Sequence, residues 1–512
     1  MRPVLLTSLA LAAASPLAAQ SVRPPVSPAA KSAAATITEA DVRKRIGVIA
    51  HDSMGGRDTP SRGLDLTAQY VADEFRRFGL QPGGDGGSFL QTYSIEKRQL
   101  DTAASSVSLS AGGVTSTAAF GSAARYGNGT VPPGPVNGPV LLVAGKVDAK
   151  SLAGAPIKDR VVLVALPEGA QLDRAAVAAI TAAGPAVALQ LAGGDSAAFA
   201  ERAKNRLRPR VVSAGDPTRP LSVEVHESAM RAALAAAGVD IAAARASATP
   251  VVREVTGLGG RVTIVETVLD KQAAPNTVGI LRGSDPKLRD EYVLYSAHMD
   301  HVGHSANGRC AAMGADSICN GADDDASGTV GVVELAEAFA KKGVKPKRSI
   351  IFLTVSGEEG GLRGSRYYAE HPSVPIERIV ANVNIDMIGR NWPDTIVAIG
   401  REHSDLGATL DRVAAAHPEL GMAVIDDKWP EERFYTRSDH YNFAKKGVPI
   451  LFFFNGVHED YHKPSDHPEK IDAEKESRIV RMLFWLGLEI ANAPMRPKWN
   501  EASYKEVVAS AR

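Results

Sequence analysis

The 512-residue chain carries 58 Lys and Arg against 58 Asp and Glu, and this zero formal net charge excludes the electrostatic footprint of a nucleic-acid binder or an anionic-membrane binder. Hydrophobic residues make up 44% and charged residues 23%, the balance of a packed protein of about two to four domains at roughly 100 to 200 residues each. With only two cysteines, Cys310 and Cys319, a disulfide scaffold and a cysteine-rich zinc finger are excluded, so any metal has to be held by His, Asp and Glu.

Residues 1–19 read as an export signal: Arg2, an apolar run over 4–14, then small residues up to an expected cleavage point near Ala19. The run is shorter than the ~20 residues that cross a bilayer, so an exported, periplasmic or secreted protein with no membrane span is expected. Residues 20–37, rich in Pro, Ala and Ser, predict a flexible linker. Thr38 and Asp41 stand at capping-box spacing ahead of apolar Val42, Ile46 and Ile49, which predicts a helix; a second is predicted over 64–78, closed by Gly79. These elements and the strand-like runs that follow are read as the first part of the main domain, 38–131.

The texture changes between 132 and 252. Runs 139–143 and 160–165 are β-rich, 175–183 and 228–237 are Ala-rich helices, and the segment lacks the His and carboxylate clusters found later. It reads as an inserted, non-catalytic domain. From 253 to 495, apolar runs at 277–281, 292–297, 349–355, 379–385, 395–399 and 449–454 alternate with amphipathic helices such as 329–341, leaving 496–512 as a tail. That alternation predicts an α/β fold, a doubly wound mixed sheet flanked by helices, with ligands at the carboxyl ends of its strands. Ten of the 12 histidines lie between His298 and His467, so the chemistry is expected there.

The residues at the predicted strand ends are chemically pointed. His298 and Asp300 share a side of their strand, the pattern of a metal ligand and the carboxylate that orients it. Three adjacent acids, Asp323, Asp324 and Asp325, open a helix; crowded so closely they repel one another unless a cation sits among them. Glu358 and Glu359 end the next strand ahead of Gly360 and Gly361, where one can bind metal and the other can move a proton. Asp386 ends another strand, and Tyr461-His462 with Asp466 follow the last.

In this order HMD, GADDDASG, GEEGGLRGS, NIDMIG and YHKPSD resemble the five signature segments of the aminopeptidase Y and bacterial leucyl aminopeptidase family of co-catalytic di-zinc exopeptidases. The resemblance covers roughly 277–472; Gly56-Arg57 and the Gly-rich turn at 82–87 are similar to the family's start. The insert is similar to a protease-associated domain, through 157–164 and the stretch at Ala183.

Residue by residue, the resemblance implies two Zn²⁺ ions: His298 and Asp386 on one, Glu359 and His462 on the other, Asp324 bridging both and joined to Asp325 by a cis peptide. Asp300, Asp325 and Asp466 would support the ligands, with Asp466 orienting His462. Glu358 would be the general base acting on a zinc-bound hydroxide, and Tyr461 a donor to the developing oxyanion. His301 and His304 are expected outside the ligand set, because in a continuing strand residue 301 faces away from 298. Cys310 and Cys319 form a possible disulfide in an exported protein. The implied substrate is a peptide or small peptide-like molecule; the oligomeric state is left open. Trp429 and Phe434 are candidates to line an apolar pocket, while Ser438-Asp439-His440 resembles a family segment without an assignable role.

Three other readings compete. His458-Glu459-Asp460-Tyr461-His462 satisfies H-E-x-x-H, which works only on a helix; Gly456 before it and Pro464 and Pro468 after it oppose one. A single-zinc glutaminyl cyclase and a receptor-like binding protein use the same fold.

Overall fold

The computed structural model of the chain describes residues 27–213 and 215–509; the predicted export signal and the first part of the linker lie outside them. Four parallel strands form the centre of the larger sheet in the order Ile450–Phe453, Ile379–Ile385, Tyr292–His298, Ser349–Val355. All seven residues of each of the last three are buried, which is why these strands read as mostly apolar runs, their buried Ser296, Asn382 and Asn384 hydrogen-bonded to one another. Val293, Tyr295, Ile350 and Phe352 pack on one face against helices Gly328–Ala340 and Ala473–Asn492. Leu294, Ile351 and Leu353 pack on the other, against Tyr368 and Phe443 of helices Arg363–Glu370 and His440–Ala444.

Antiparallel neighbours complete a mixed sheet: Thr395–Ile399 beside Ile450–Phe453, and Glu266–Leu281 then Leu90–Leu100 beyond Ser349–Val355. The parallel strands all point their carboxyl ends the same way, so the loops that follow them converge at one edge.

A second, eight-stranded sheet has its own core, with Leu142, Leu163, Leu189 and Val223 at its centre. Its strands Val136–Ala144, Val161–Ala165, Val187–Ala192 and Ser222–His226 are parallel. The sheet starts earlier than residue 132, with hairpin Ser106–Ala111 and Val114–Ala119, and runs to the end of Val251–Thr263. Val107 and Leu109 alternate inward beside Val262, so this hairpin belongs to the second core despite its place in the sequence. Strand Arg210–Ser213 leaves the second unit and pairs with Leu90–Leu100 of the first; there the Arg210 guanidinium donates to Glu266 Oε2 at 2.7 Å.

Two segments expected to be loose are packed. Pro28–Ala34 is a helix capped by Ser27, burying Ala30, Ala33 and Ala34 against the main core, since alanines at that spacing give a flat face with no side-chain entropy to lose. In the C-terminal segment, helix Glu501–Val507 buries Val507, and the Trp499 indole donates to the Gly447 carbonyl at 2.9 Å. No helix among the described residues is long and apolar enough to cross a membrane.

Candidate metal centre

Strand Tyr292–His298 delivers His298 to the sheet edge, and the loop 320–327 lies across it with Asp324 facing the ring. The Nε2 of His298 is 3.3 Å from Asp324 Oδ1 and 3.6 Å from Asp386 Oδ1. The other carboxylate oxygen of Asp324 looks the opposite way, 3.1 Å from His462 Nε2 and 3.5 Å from His301 Nδ1. Glu359 Oε1 closes that second group, 3.1 Å from each of the same two nitrogens. Two clusters therefore share one carboxylate: His298, Asp324 and Asp386, and His301, Asp324, Glu359 and His462, with the facing atoms of each within 4.8 Å of one another.

The donor set suits a cation. His301 Nδ1, Asp324 Oδ2, Glu359 Oε1 and His462 Nε2 are buried and make no hydrogen bond, although buried polar atoms almost always do. Imidazole nitrogen and carboxylate oxygen in groups of three and four match zinc. Each carboxylate also sits in the field of several imidazoles. Burial pushes Asp324 up, but the imidazoles of His301, His298 and His462 outweigh it and hold its carboxyl well below the usual range. Burial and Asp324 raise Glu359, and His301 and His462 outweigh them, holding it at about 2.

His301 stands apart from the sequence-based expectation. The strand ends at His298, the chain turns, and the His301 N–H donates to the Arg57 carbonyl at 3.2 Å, so strand alternation no longer decides where residue 301 points. His304, by contrast, stays outside: its Nε2 is 2.9 Å from Ser317 Oγ.

The supporting residues fix the loops from beneath. Asp325, which follows Asp324 through a cis peptide, accepts the N–H of His298 at Oδ2 (3.1 Å) and those of Gly328 and Met387 at Oδ1 (2.9 and 3.1 Å). The Nδ1 of His298 lies 3.1 Å from the Asp300 carbonyl and 3.7 Å from its carboxylate, while Asp300 Oδ1 accepts the N–H of Glu358 at 3.1 Å. Asp466 does not reach His462. The turn 463–466 brings it under the acidic loop, where its Oδ2 accepts the N–H groups of Asp323 and Asp324 at 3.0 and 3.2 Å. His462 itself adopts φ 57, a left-handed conformation uncommon outside glycine, which turns its ring inward.

Two further supports lie in segments that the resemblance marked without giving them a role. Ser438 donates to the outer oxygen of Asp386 at 2.9 Å, and neighbouring His440 donates to the Tyr435 carbonyl at 2.8 Å. Arg57 is wholly buried and spends its guanidinium on main-chain carbonyls of Met299, Asn320 and Gly321, gripping the loops that carry His298 and Asp324. Gly56 permits this approach, since a Cβ there would lie 2.5 Å from the Cys319 carbonyl oxygen. Cys319 forms a disulfide with Cys310, and Arg309 beside it donates to the Glu359 carbonyl at 2.5 Å.

A small pocket opens on the first cluster, lined by His298, Asp324, Asp386, Glu358 and Tyr461 and walled by Phe434, Phe452, Phe454 and Val457. Burial, with Asp439 and Glu359 adding to it against the pull of His298, holds Glu358 well above the usual carboxyl range. Trp429 is behind the wall: it stacks on Trp392 and meets Phe434 edge-on at 5.8 Å. Residues 458–462 lie in turns, not on a helix, and His458 Nε2 faces Asp323 Oδ2 at 3.2 Å, away from His462's partners; this removes the H-E-x-x-H arrangement.

Residues 276–485 match the model of Peptidase family M28. The chain is similar to a probable leucine aminopeptidase of Arthroderma otae, 26% identical over 257 residues that make up 48% of this chain and 67% of that protein. It is similar to a probable zinc metalloprotease of Pyrenophora tritici-repentis, 26% identical over 241 residues, 38% of this chain and 49% of that one. The matched stretch thus spans about half to two thirds of these relatives. A solved aminopeptidase from Aneurinibacillus sp. strain AM-1 shares the fold, with 17% identity, 91% of this chain and 97% of that chain covered, and a TM-score of 0.50.

Proposed function

We propose, from the premise that residues 276–485 match peptidase family M28, that this chain is an exported zinc-dependent aminopeptidase with two metal positions bridged by Asp324. One observation carries the reading: the two oxygens of a single buried carboxylate face two separate groups of His and carboxylate ligands. His298 and Asp386 would hold one Zn²⁺ ion and Glu359 and His462 the other, and the pair would supply the Lewis acidity that acidifies a water and polarises the scissile carbonyl.

Glu358 accepts the proton of the attacking water and delivers it to the leaving amine. The carboxyl is suited to this because burial, helped by Asp439 and Glu359 against the pull of His298, raises its proton affinity, and the hydrogen bond from its N–H to Asp300 fixes it beside the ligands. Tyr461 shares the same pocket and donates to the developing oxyanion. The aromatic wall at Phe434, Phe452 and Phe454 receives the side chain of the first residue, favouring apolar peptides. Export is supported by the residues at the chain's start and by the Cys310–Cys319 disulfide, a bond that persists in oxidising compartments.

The test is mass spectrometry of an unbiased peptide mixture incubated with the protein, with and without chelator and added Zn²⁺. Stepwise loss of amino-terminal residues, blocked by chelation and by N-acetylation of the peptides, is the expected result. Trimming from the carboxyl end would replace the aminopeptidase reading. No cleavage by zinc-loaded protein would favour a cyclase or a binding role.

A further inference from the structure

His301 is fully buried, and neither of its ring nitrogens makes a hydrogen bond. Its Nδ1 lies 3.1 Å from Glu359 Oε1 and 3.5 Å from Asp324 Oδ2, two acceptors that are themselves without partners. The ring has little freedom to turn away. It packs on Gly321, where a Cβ would come within 2.6 Å of the imidazole, and stands edge-on to His462 at 5.5 Å.

We propose that His301 is a fourth protein ligand of the second metal position, so that the two positions are unequal: one closed by His301, Asp324, Glu359 and His462, the other open on His298, Asp324 and Asp386. The inference rests on the zinc reading above and deepens it. Four protein ligands complete a tetrahedral zinc site of the structural kind, whereas three leave a position free, as in catalytic sites. An independent observation agrees with this division. The pocket is lined by His298, Asp324 and Asp386 together with Glu358 and Tyr461, while His301, Glu359 and His462 do not line it. The pocket therefore leads to the three-ligand position; His462 keeps 31% of its side chain exposed where His298 keeps 2%, so ligand number and not burial separates the two positions. Release of metal should follow ligand number.

The experiment measures zinc rather than turnover. Full-length protein is loaded with Zn²⁺, exposed to a weak chelator and sampled over time by elemental analysis, while zinc X-ray absorption counts the imidazoles bound. Wild-type protein is expected to take two zincs, lose one quickly and keep one, with three imidazoles shared between the two ions. His301→Gln is expected to lose the retained ion on the order of tenfold faster or more and to show two imidazoles. His298→Ala, in contrast, should keep the slow ion.

Unchanged retention and an unchanged imidazole count in His301→Gln overturn the inference and leave the two-zinc reading standing. A wild-type protein with a single zinc and two imidazoles keeps the inference and sinks the two-zinc reading; no zinc at all ends both. Should His301→Gln fail to fold by circular dichroism, the wild-type imidazole count decides alone: two over two ions overturns the assignment, three supports it.

Discussion

Arg57 Nε donates to the carbonyl of Met299 at 2.8 Å across 242 residues of sequence. The same guanidinium also takes the carbonyls of Ile49, Asn320 and Gly321, so one side chain near the start of the catalytic unit holds two ligand-bearing loops in register. No carboxylate pairs with it directly; burial lowers its proton affinity, and Asp324, Asp300 and Asp325 nearby partly restore it. Replacing Arg57 by Met strands several buried carbonyls, each worth about 1 to 3 kcal/mol. Arg57→Met is expected to lose about 3 kcal/mol or more in denaturant unfolding and to bind zinc more weakly. Arg57→Lys should rescue little, because an ammonium lacks the planar fork. Stability within 1 kcal/mol of wild type in Arg57→Met, an order-of-magnitude threshold, would contradict this account.

Glu358→Gln removes the proton acceptor and keeps the shape. Its expected effect is a fall in kcat of about 10² to 10⁴-fold, with KM and zinc content near wild type. Stopped assays with a chromogenic amino-acid amide, together with elemental analysis, check both halves. Activity within a few-fold of wild type would remove Glu358 from the chemistry.

Phe434 faces the pocket and Trp429 lies behind it, so truncating them should differ in kind. Phe434→Ala is expected to move kcat/KM towards peptides with a bulkier first residue, by about tenfold or more relative to alanine at that position. Trp429→Ala should shift preference less and stability more, since it deletes a stack on Trp392 and contacts to Phe434 and Phe454. A larger change of preference in Trp429→Ala would reverse the assignment.

His440 is buried, stacked on Phe452 at 4.3 Å, and burial lowers its pKa to about 3 against the Tyr435 carbonyl's opposing pull. An unfolded histidine titrates near 6.5. Below that pH the unfolded chain takes up a proton that the folded chain refuses, so this group's contribution to stability is present above about 6.5 and is lost as pH falls towards 3. The slope approaches about 1.4 kcal/mol per pH unit. His440→Gln, which can still donate to Tyr435, should flatten the loss of melting temperature between roughly pH 6.5 and 4.5. Parallel pH profiles for wild type and variant would exclude His440 as the cause.

Local patterns made much of this molecule legible. Strand Tyr292–His298 is mostly apolar because both faces are covered, and the residue at its carboxyl end reaches the sheet edge. The same reasoning brings Glu358, Glu359 and Asp386 to the edge, since each directly follows such a strand or its turn. Thr38 caps its helix through the N–H of Asp41 at 3.2 Å, as its spacing implies.

Other features depend on chain that is distant in sequence. Hairpin Ser106–Ala119 looks the same in sequence whichever core it joins, and only its pairing with Val251–Thr263 assigns it to the second sheet. Helix Pro28–Ala34 has the composition of a linker; the surfaces of Gly328–Ala340 and Ala473–Asn492 give its alanines somewhere to pack.

The amino-acid sequence by itself determined the order of the motifs, the strands that carry them and the residue types offered to a metal, because these follow from side-chain chemistry and short-range periodicity. Only the tertiary structure decided that His301 turns in beside Glu359 and Asp324, that Asp466 holds the acidic loop and not His462, and that Arg57 joins the two loops. Those outcomes are set after the chain leaves regular structure, where contacts across tens to hundreds of residues, rather than alternation along a strand, fix the direction in which each side chain points.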